Sequence, residues 1–122
     1  MDETSFLKIL DEKLFVDDWQ YIDYYALLSY LRTGEQIVIV DVSGEDNLKY
    51  FTHKQLTYIN IPYREILRKA DQIEPFNGKT IVCVCAGGPK SAVAALMLGF
   101  KGINAIFLSG GVEAVAQINK VN

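Results

Sequence analysis

Thr80-Ile81-Val82-Cys83-Val84-Cys85-Ala86-Gly87-Gly88-Pro89-Lys90-Ser91 is the stretch on which the fold turns. An apolar, β-branched run gives way at Cys85 to small residues and a proline, and a nearly continuous apolar segment then extends from Ser91 to Phe100. The first part reads as a strand buried on both faces, the second as a tight loop, and the third as a helix opened by Ser91 and packed deep against a sheet. This arrangement puts the Cys85 thiol at a helix N-terminus. Unpaired backbone N–H groups, the positive end of the helix dipole and a nearby cation, here Lys90, all favour the thiolate that carries cysteine chemistry. Gly87 and Gly88 relieve the steric limit on a loop whose amides turn inward as an anion-binding nest.

Outward from this unit the chain alternates strand-like and helix-like segments, the pattern of a parallel α/β sheet. Ile37-Val38-Ile39-Val40-Asp41 is the clearest strand, Tyr58-Ile59-Asn60-Ile61 and Ala105-Ile106-Phe107-Leu108 are two more, and a short one is expected near Gln20 to Ile22. Asp23 reads as the N-cap of a helix from Tyr24 to Thr33, with Gly34 in the C′ place. Further helices are expected over Arg64–Ala70 and Val112–Ile118. Residues 1–19 read as a helical extension packed on a domain of residues 20–122: Phe6, Leu7, Ile9, Leu10 and Leu14 make one apolar face, and a docking face for a partner or second subunit is the alternative. Ligands of such sheets bind beyond the carboxyl ends of the strands, where Cys85, Asp41 and Ser109-Gly110-Gly111 gather.

The composition narrows the function classes. The chain has 122 residues, half of them apolar, with 22% charged and a net charge of −3. That balance, without a Lys/Arg cluster, argues against a nucleic-acid partner. No stretch approaches the roughly 20 apolar residues of a membrane helix, and Met1-Asp2-Glu3-Thr4 lacks the basic start of a signal peptide, so no membrane partner and a cytoplasmic location are expected. Cys83 and Cys85 do not form a disulfide scaffold or a zinc site, and neither metal nor cofactor is expected. His53, the only histidine, reads as a surface or loop residue.

Cys85-Ala86-Gly87-Gly88-Pro89-Lys90-Ser91 resembles the active-site loop of the rhodanese family, C-x-x-G-x-R-S, with Lys90 in the arginine place. Ile39-Val40-Asp41-Val42 is similar to the family's I-D-V-R segment, Ile59-Asn60-Ile61-Pro62 to its A-x-N-I-P segment, and Leu108-Ser109-Gly110-Gly111 to its L-x-G-G segment, all in order. The resemblance implies a rhodanese-like three-layer α/β fold, a central, mainly parallel sheet of about five strands flanked by helices. It also implies sulfur transfer: Cys85 would take the outer sulfur of a small anionic donor such as thiosulfate, or of a persulfide-carrying protein, and yield it to a thiol or cyanide-like acceptor. Ala86, Gly87, Gly88, Pro89, Lys90 and Ser91 would hold the donor and the persulfide. Ser43 stands where the family has arginine, Tyr58 where a small residue is usual, and Val115 where many members carry tryptophan.

Phosphatases and arsenate reductases of this fold use a longer loop, C-x5-R, and Ser91 occupies that arginine position. A lysine one place earlier lacks the guanidinium fork that clamps an oxyanion. A catalytically weak binding or regulatory module is the other alternative. Cys85 can also be read as an inert cysteine at a strand end, Cys83 as core, Lys90 as a solvated helix-start residue, and Asp41 as structural support that satisfies loop amides. Tyr21, Tyr24, Tyr25 and Tyr30 read as packing residues.

Overall fold

The structure, a computed structural model, describes residues 21–87 and 89–121. The expected N-terminal extension, and Gly88, lie outside the described residues. Five parallel strands form one sheet in the order β1-β5-β4-β2-β3: β1 (Tyr21–Ile22), β2 (Ile37–Asp41), β3 (Leu56–Asn60), β4 (Thr80–Val84) and β5 (Ala105–Leu108). Helices α1 (Tyr24–Arg32), α2 (Lys90–Phe100) and α3 (Gly111–Val121) complete the α/β architecture. None of the described helices is long and apolar enough to cross a membrane.

The central strands are buried on both faces, and the period of two in a strand divides them between two cores. Val38, Val40, Ile81 and Cys83 pack with Ala94 and Leu98 of α2 and with Ile66 and Ile73 on one side. Ile37, Ile39, Val82 and Val84 pack with Leu27 and Leu31 of α1 and Val115 of α3 on the other. Each fully enclosed Leu or Ile contributes about 1.5–3 kcal/mol of burial. Val115 is part of this second core.

α1 starts and stops on local signals. Asp23 accepts from the Ala26 amide at 2.8 Å. At the other end Gly34, at φ +86°, lets its own amide reach Leu31 O and the Glu35 amide reach Tyr30 O, the two bonds of a Schellman motif.

Three expectations are corrected. Arg64–Ala70 is not an α-helix: the chain advances through short 3₁₀ turns at Tyr63–Glu65, Ala70–Gln72 and Glu74–Phe76. Ile66, Ala70 and Ile73 are still pressed into the core, so the apolar spacing is met by successive short turns and not by one continuous helix. α2 begins at Lys90 rather than Ser91, and no side chain caps it. The tyrosines are not uniformly packing residues: Tyr24 packs against the core and the Tyr21 ring, though exposed, lies 5.9 Å from that of Phe107, while Tyr25 and Tyr30 are exposed.

The segment after β2 is ordered by a buried carboxyl. Asp41 is fully enclosed at the strand's end, and its oxygens accept from the Ser43 amide at 3.0 Å, from Asn47 Nδ2 at 2.9 Å and from the Tyr58 hydroxyl. Tyr58 comes from the neighbouring strand β3, and its oxygen also accepts from the Asn47 amide at 2.9 Å and from Asn60 Nδ2 at 3.2 Å. Burial, and then the bond to Asp41, push the Tyr58 phenol up to about 12 from an ordinary 10. The folded chain thus holds this proton more tightly than the unfolded chain, so the associated stability is complete below pH ~10 and is lost as pH rises through the folded value. Tyr58→Phe is expected to lower stability at pH 7 by about 1–3 kcal/mol and to remove this part of the alkaline loss, as urea unfolding of both proteins across the alkaline range will show.

Candidate active site

The carboxyl ends of β2, β4 and β5 meet at the loop that follows Val84. Cys85 is the first residue beyond β4 and is only 2% exposed. Its thiol donates to Ser91 Oγ at 3.4 Å, and Ser91, in the first turn of α2, is itself 1% exposed. The hydroxyl faces the sulfur, and α2 has no side-chain cap because Pro89, its N-cap residue, carries no side-chain acceptor. A thiolate at the same place would receive the Ser91 proton as a charge-assisted hydrogen bond, with the Ser91 O–H now donating.

Ala86, Gly87, Pro89 and Lys90 are exposed around this buried pair. The loop is fastened from the side of β5. Gly110 and Gly111 have φ of +80° and +61°, and a β-carbon on Gly111 would lie 2.4 Å from the Cys85 carbonyl oxygen. That close approach lets the Val112 and Glu113 amides donate to the Cys85 and Ala86 carbonyls at 2.8 and 2.9 Å. The first donors of α3, which have no partner within the helix, are thereby satisfied by the loop.

Gly87 serves a different purpose from the one expected. Its φ is not positive, but a β-carbon there would fall 2.5 Å from Glu113 Oε2. The residue is small because a carboxylate occupies the space beside it. A crevice of about 430 Å³ adjoins the loop at Ala86 and runs between the Ser43–Tyr50 segment and the first turns of α3.

The other candidates separate from the sulfur. Asp41 directs its hydrogen bonds to Ser43, Asn47 and Tyr58, ordering one wall of the crevice. Lys90 is exposed and forms no ion pair among the described residues. His53, before the amino end of β3, accepts from the Gln55 amide at 3.1 Å and lies in a surface turn at the far end of the strands from Cys85. Burial, reinforced by neighbouring Cys85, pushes the Cys83 thiol up to about 12. Cys83 remains protonated at neutral pH and is poorly suited to act as nucleophile or resolving thiol. Among the described residues no group of three His, Cys, Asp or Glu side chains is placed to hold a metal.

Sequence reading missed Tyr58, Asn47 and Glu113. For Tyr58 the available signal was Asn60, which pairs in register with Asp41 and marks a polar patch at the strand ends. For Glu113 it was an acid just after Gly110-Gly111, in the first turn of the helix that follows β5, the strand neighbouring β4.

Residues 24–118 match the sequence model of the Rhodanese-like domain. A rhodanese-related protein from Thermoplasma volcanium shares the fold, with a TM-score of 0.63 at 22% identity over 82% of this chain and 93% of that one. A rhodanese-like domain protein from Staphylococcus aureus aligns at 28% identity and a TM-score of 0.61, over 79% of this chain and 90% of that one. An NAD-dependent persulfide reductase from A. fulgidus aligns at 31% identity and a TM-score of 0.60, where 79% of this chain corresponds to only 16% of that much longer protein. The curated proteins gave no match. With the family model spanning most of its length, including β4, the Cys85 loop and α2, the chain belongs to the rhodanese-like domain family.

Proposed function

We propose that the chain is a sulfurtransferase that carries sulfane sulfur as a persulfide on Cys85. The observation that carries this reading is the buried pair of Cys85 Sγ and Ser91 Oγ, 3.4 Å apart, beneath an otherwise exposed loop at a helix N-terminus. In the first step the Cys85 thiolate attacks the outer sulfur of a donor. The new S–S bond forms as the donor's S–S bond breaks, and the donor leaves as a thiolate or, from thiosulfate, as sulfite. In the second step an acceptor thiol or a cyanide-like nucleophile takes the outer sulfur and regenerates the Cys85 thiolate. Two half-reactions through a covalent intermediate give ping-pong kinetics.

Ser91 supports the charged sulfur in both half-reactions, while the amides of the Cys85–Ser91 loop and the first turn of α2 supply dipoles to the incoming anion. The persulfide named in the A. fulgidus relative supports a persulfide as a substrate for a domain of this kind. Ser91, buried against sulfur, offers no guanidinium to a phosphate or arsenate, so hydrolysis of an aryl phosphate is not expected.

The 2% exposure of Cys85 favours a second reading, a binding or regulatory module with weak turnover. Such a module would keep its partner when Cys85 is changed to Ser. Intact-mass spectrometry after incubation with a panel of sulfur donors separates the two. One added sulfur atom, removable by cyanide or dithiothreitol and absent from Cys85→Ser, is the expected result, whereas an unmodified wild type across the panel sinks the transferase. Ser91→Ala is expected to slow sulfur loading roughly tenfold with little change in thermal midpoint, the size of a lost hydrogen bond to a charged group.

A further inference from the structure

The loop around Cys85 has an anionic neighbour. A β-carbon at position 87 would meet Glu113 Oε2 at 2.5 Å and Cδ at 2.9 Å, so the carboxylate lies against the loop itself. Its backbone is fixed there by the Glu113 amide bond to Ala86 O at 2.9 Å. The crevice that opens beside it carries Glu45 and Asp46 on the opposite wall. Among the described residues its one cationic lining residue is Lys49, whose ammonium stands 5.1 Å from the centre of the Tyr50 ring. Lys90, exposed on the first turn of α2, is the cation of the loop. Three carboxylates thus line the crevice beside the loop, and Glu113 is the one in contact with the loop.

We infer that Glu113 selects the donor by charge, admitting an uncharged or cationic persulfide, R–S–SH, and disfavouring the thiosulfate dianion. This deepens the sulfurtransferase reading and rests on it. With such a donor, Cys85–S⁻ bonds to the outer sulfur as the R–S bond to that sulfur breaks. The bonding pair departs on R–S⁻, the outer sulfur keeps its proton, and no external oxidant or reductant is needed. Repulsion from a carboxylate is absent for a neutral donor and twice as large for a dianion as for a monoanion. Because Glu113 is exposed, salt weakens that discrimination.

The test compares the rates at which thiosulfate and 2-aminoethyl persulfide, whose ammonium offsets the charge of its ionised persulfide, load Cys85 in the wild type and in Glu113→Gln. Intact-mass spectrometry follows loading at ionic strengths of ~20 mM and ~500 mM, between which the Debye length falls severalfold. Glu113→Gln is expected to shift the ratio of the two rates toward thiosulfate by about tenfold at low salt, and high salt is expected to move the wild-type ratio in the same direction. A purely structural role for Glu113 would change both rates together. If both donors load Cys85 and the ratio stays within about twofold on substitution, charge selection by Glu113 is overturned while sulfur transfer stands. If neither donor loads the wild type, sulfur transfer and the selection built on it both fail. Should Glu113→Gln not fold, the wild-type salt response decides, and a ratio indifferent to salt overturns the inference.

Discussion

Two hydrogen bonds, from the amides of Val112 and Glu113 to the carbonyls of Cys85 and Ala86, impose the geometry on which the loop depends. In a trans peptide the C=O and the following N–H point in opposite directions. Fixing those two carbonyls toward α3 therefore turns the Ala86 and Gly87 amides away from it. The constraint exists because Gly111 has no β-carbon, since a methyl there would overlap the Cys85 carbonyl oxygen. A glycine on β5's side of the sheet thus shapes a loop that belongs to β4, and the L-x-G-G segment and the cysteine loop form one unit.

The opposite wall is built on a different principle. Asp41 is a fully enclosed polar side chain, and a buried carboxyl left without donors would be strongly destabilising. Ser43, Asn47 and Tyr58 supply donors, and no buried side-chain polar atom among the described residues lacks a partner. Here the family resemblance sharpens the meaning of two departures. Ser43 stands in the arginine position and uses its amide and hydroxyl within the segment, while Tyr58, in a place where a small residue is usual, reaches Asp41 with its phenol. The two changes order the crevice wall through neutral donors and leave position 43 without a cation.

The parts of the fold legible in sequence were those dictated by local physics. Ile37–Asp41 and Thr80–Val84 are β-branched runs that can satisfy both faces only in the middle of a sheet, and Asp23 and Gly34 bound α1 by hydrogen bonds within a few residues. The segment from Tyr63 to Phe76 was harder to read because its buried residues recur at helical spacing while its backbone follows the sheet in short turns. The site divides in the same way. Cys85 and Ser91 sit on one continuous stretch, and their relation follows from the strand–loop–helix handover. Tyr58 and Glu113 come from neighbouring strands or the helix beyond, and their contacts with Asp41 and Gly87 exist only after the sheet has set its order. Gly87 illustrates the gap well: glycine in a loop suggests backbone freedom, whereas here it leaves room for a side chain 26 positions away.

The depth of Cys85 has a consequence for the proposed chemistry. At 2% exposure the thiol is shielded from bulk reagents, while Ala86, Gly87, Pro89 and Lys90 around it are open to solvent. Adding one sulfur lengthens the side chain by an S–S bond of about 2 Å. In the proposed persulfide the outer sulfur, the atom an acceptor must attack, stands one bond farther from the backbone than the inner one. Under the proposed reaction burial protects the resting thiol, and loading extends the transferable sulfur beyond it. Under the proposed charge selection the constraint acts in the first half-reaction, beside Gly87 and the Glu113 carboxylate that lies against it. On that proposal, entry of the donor, more than release to the acceptor, is the step at which the site discriminates.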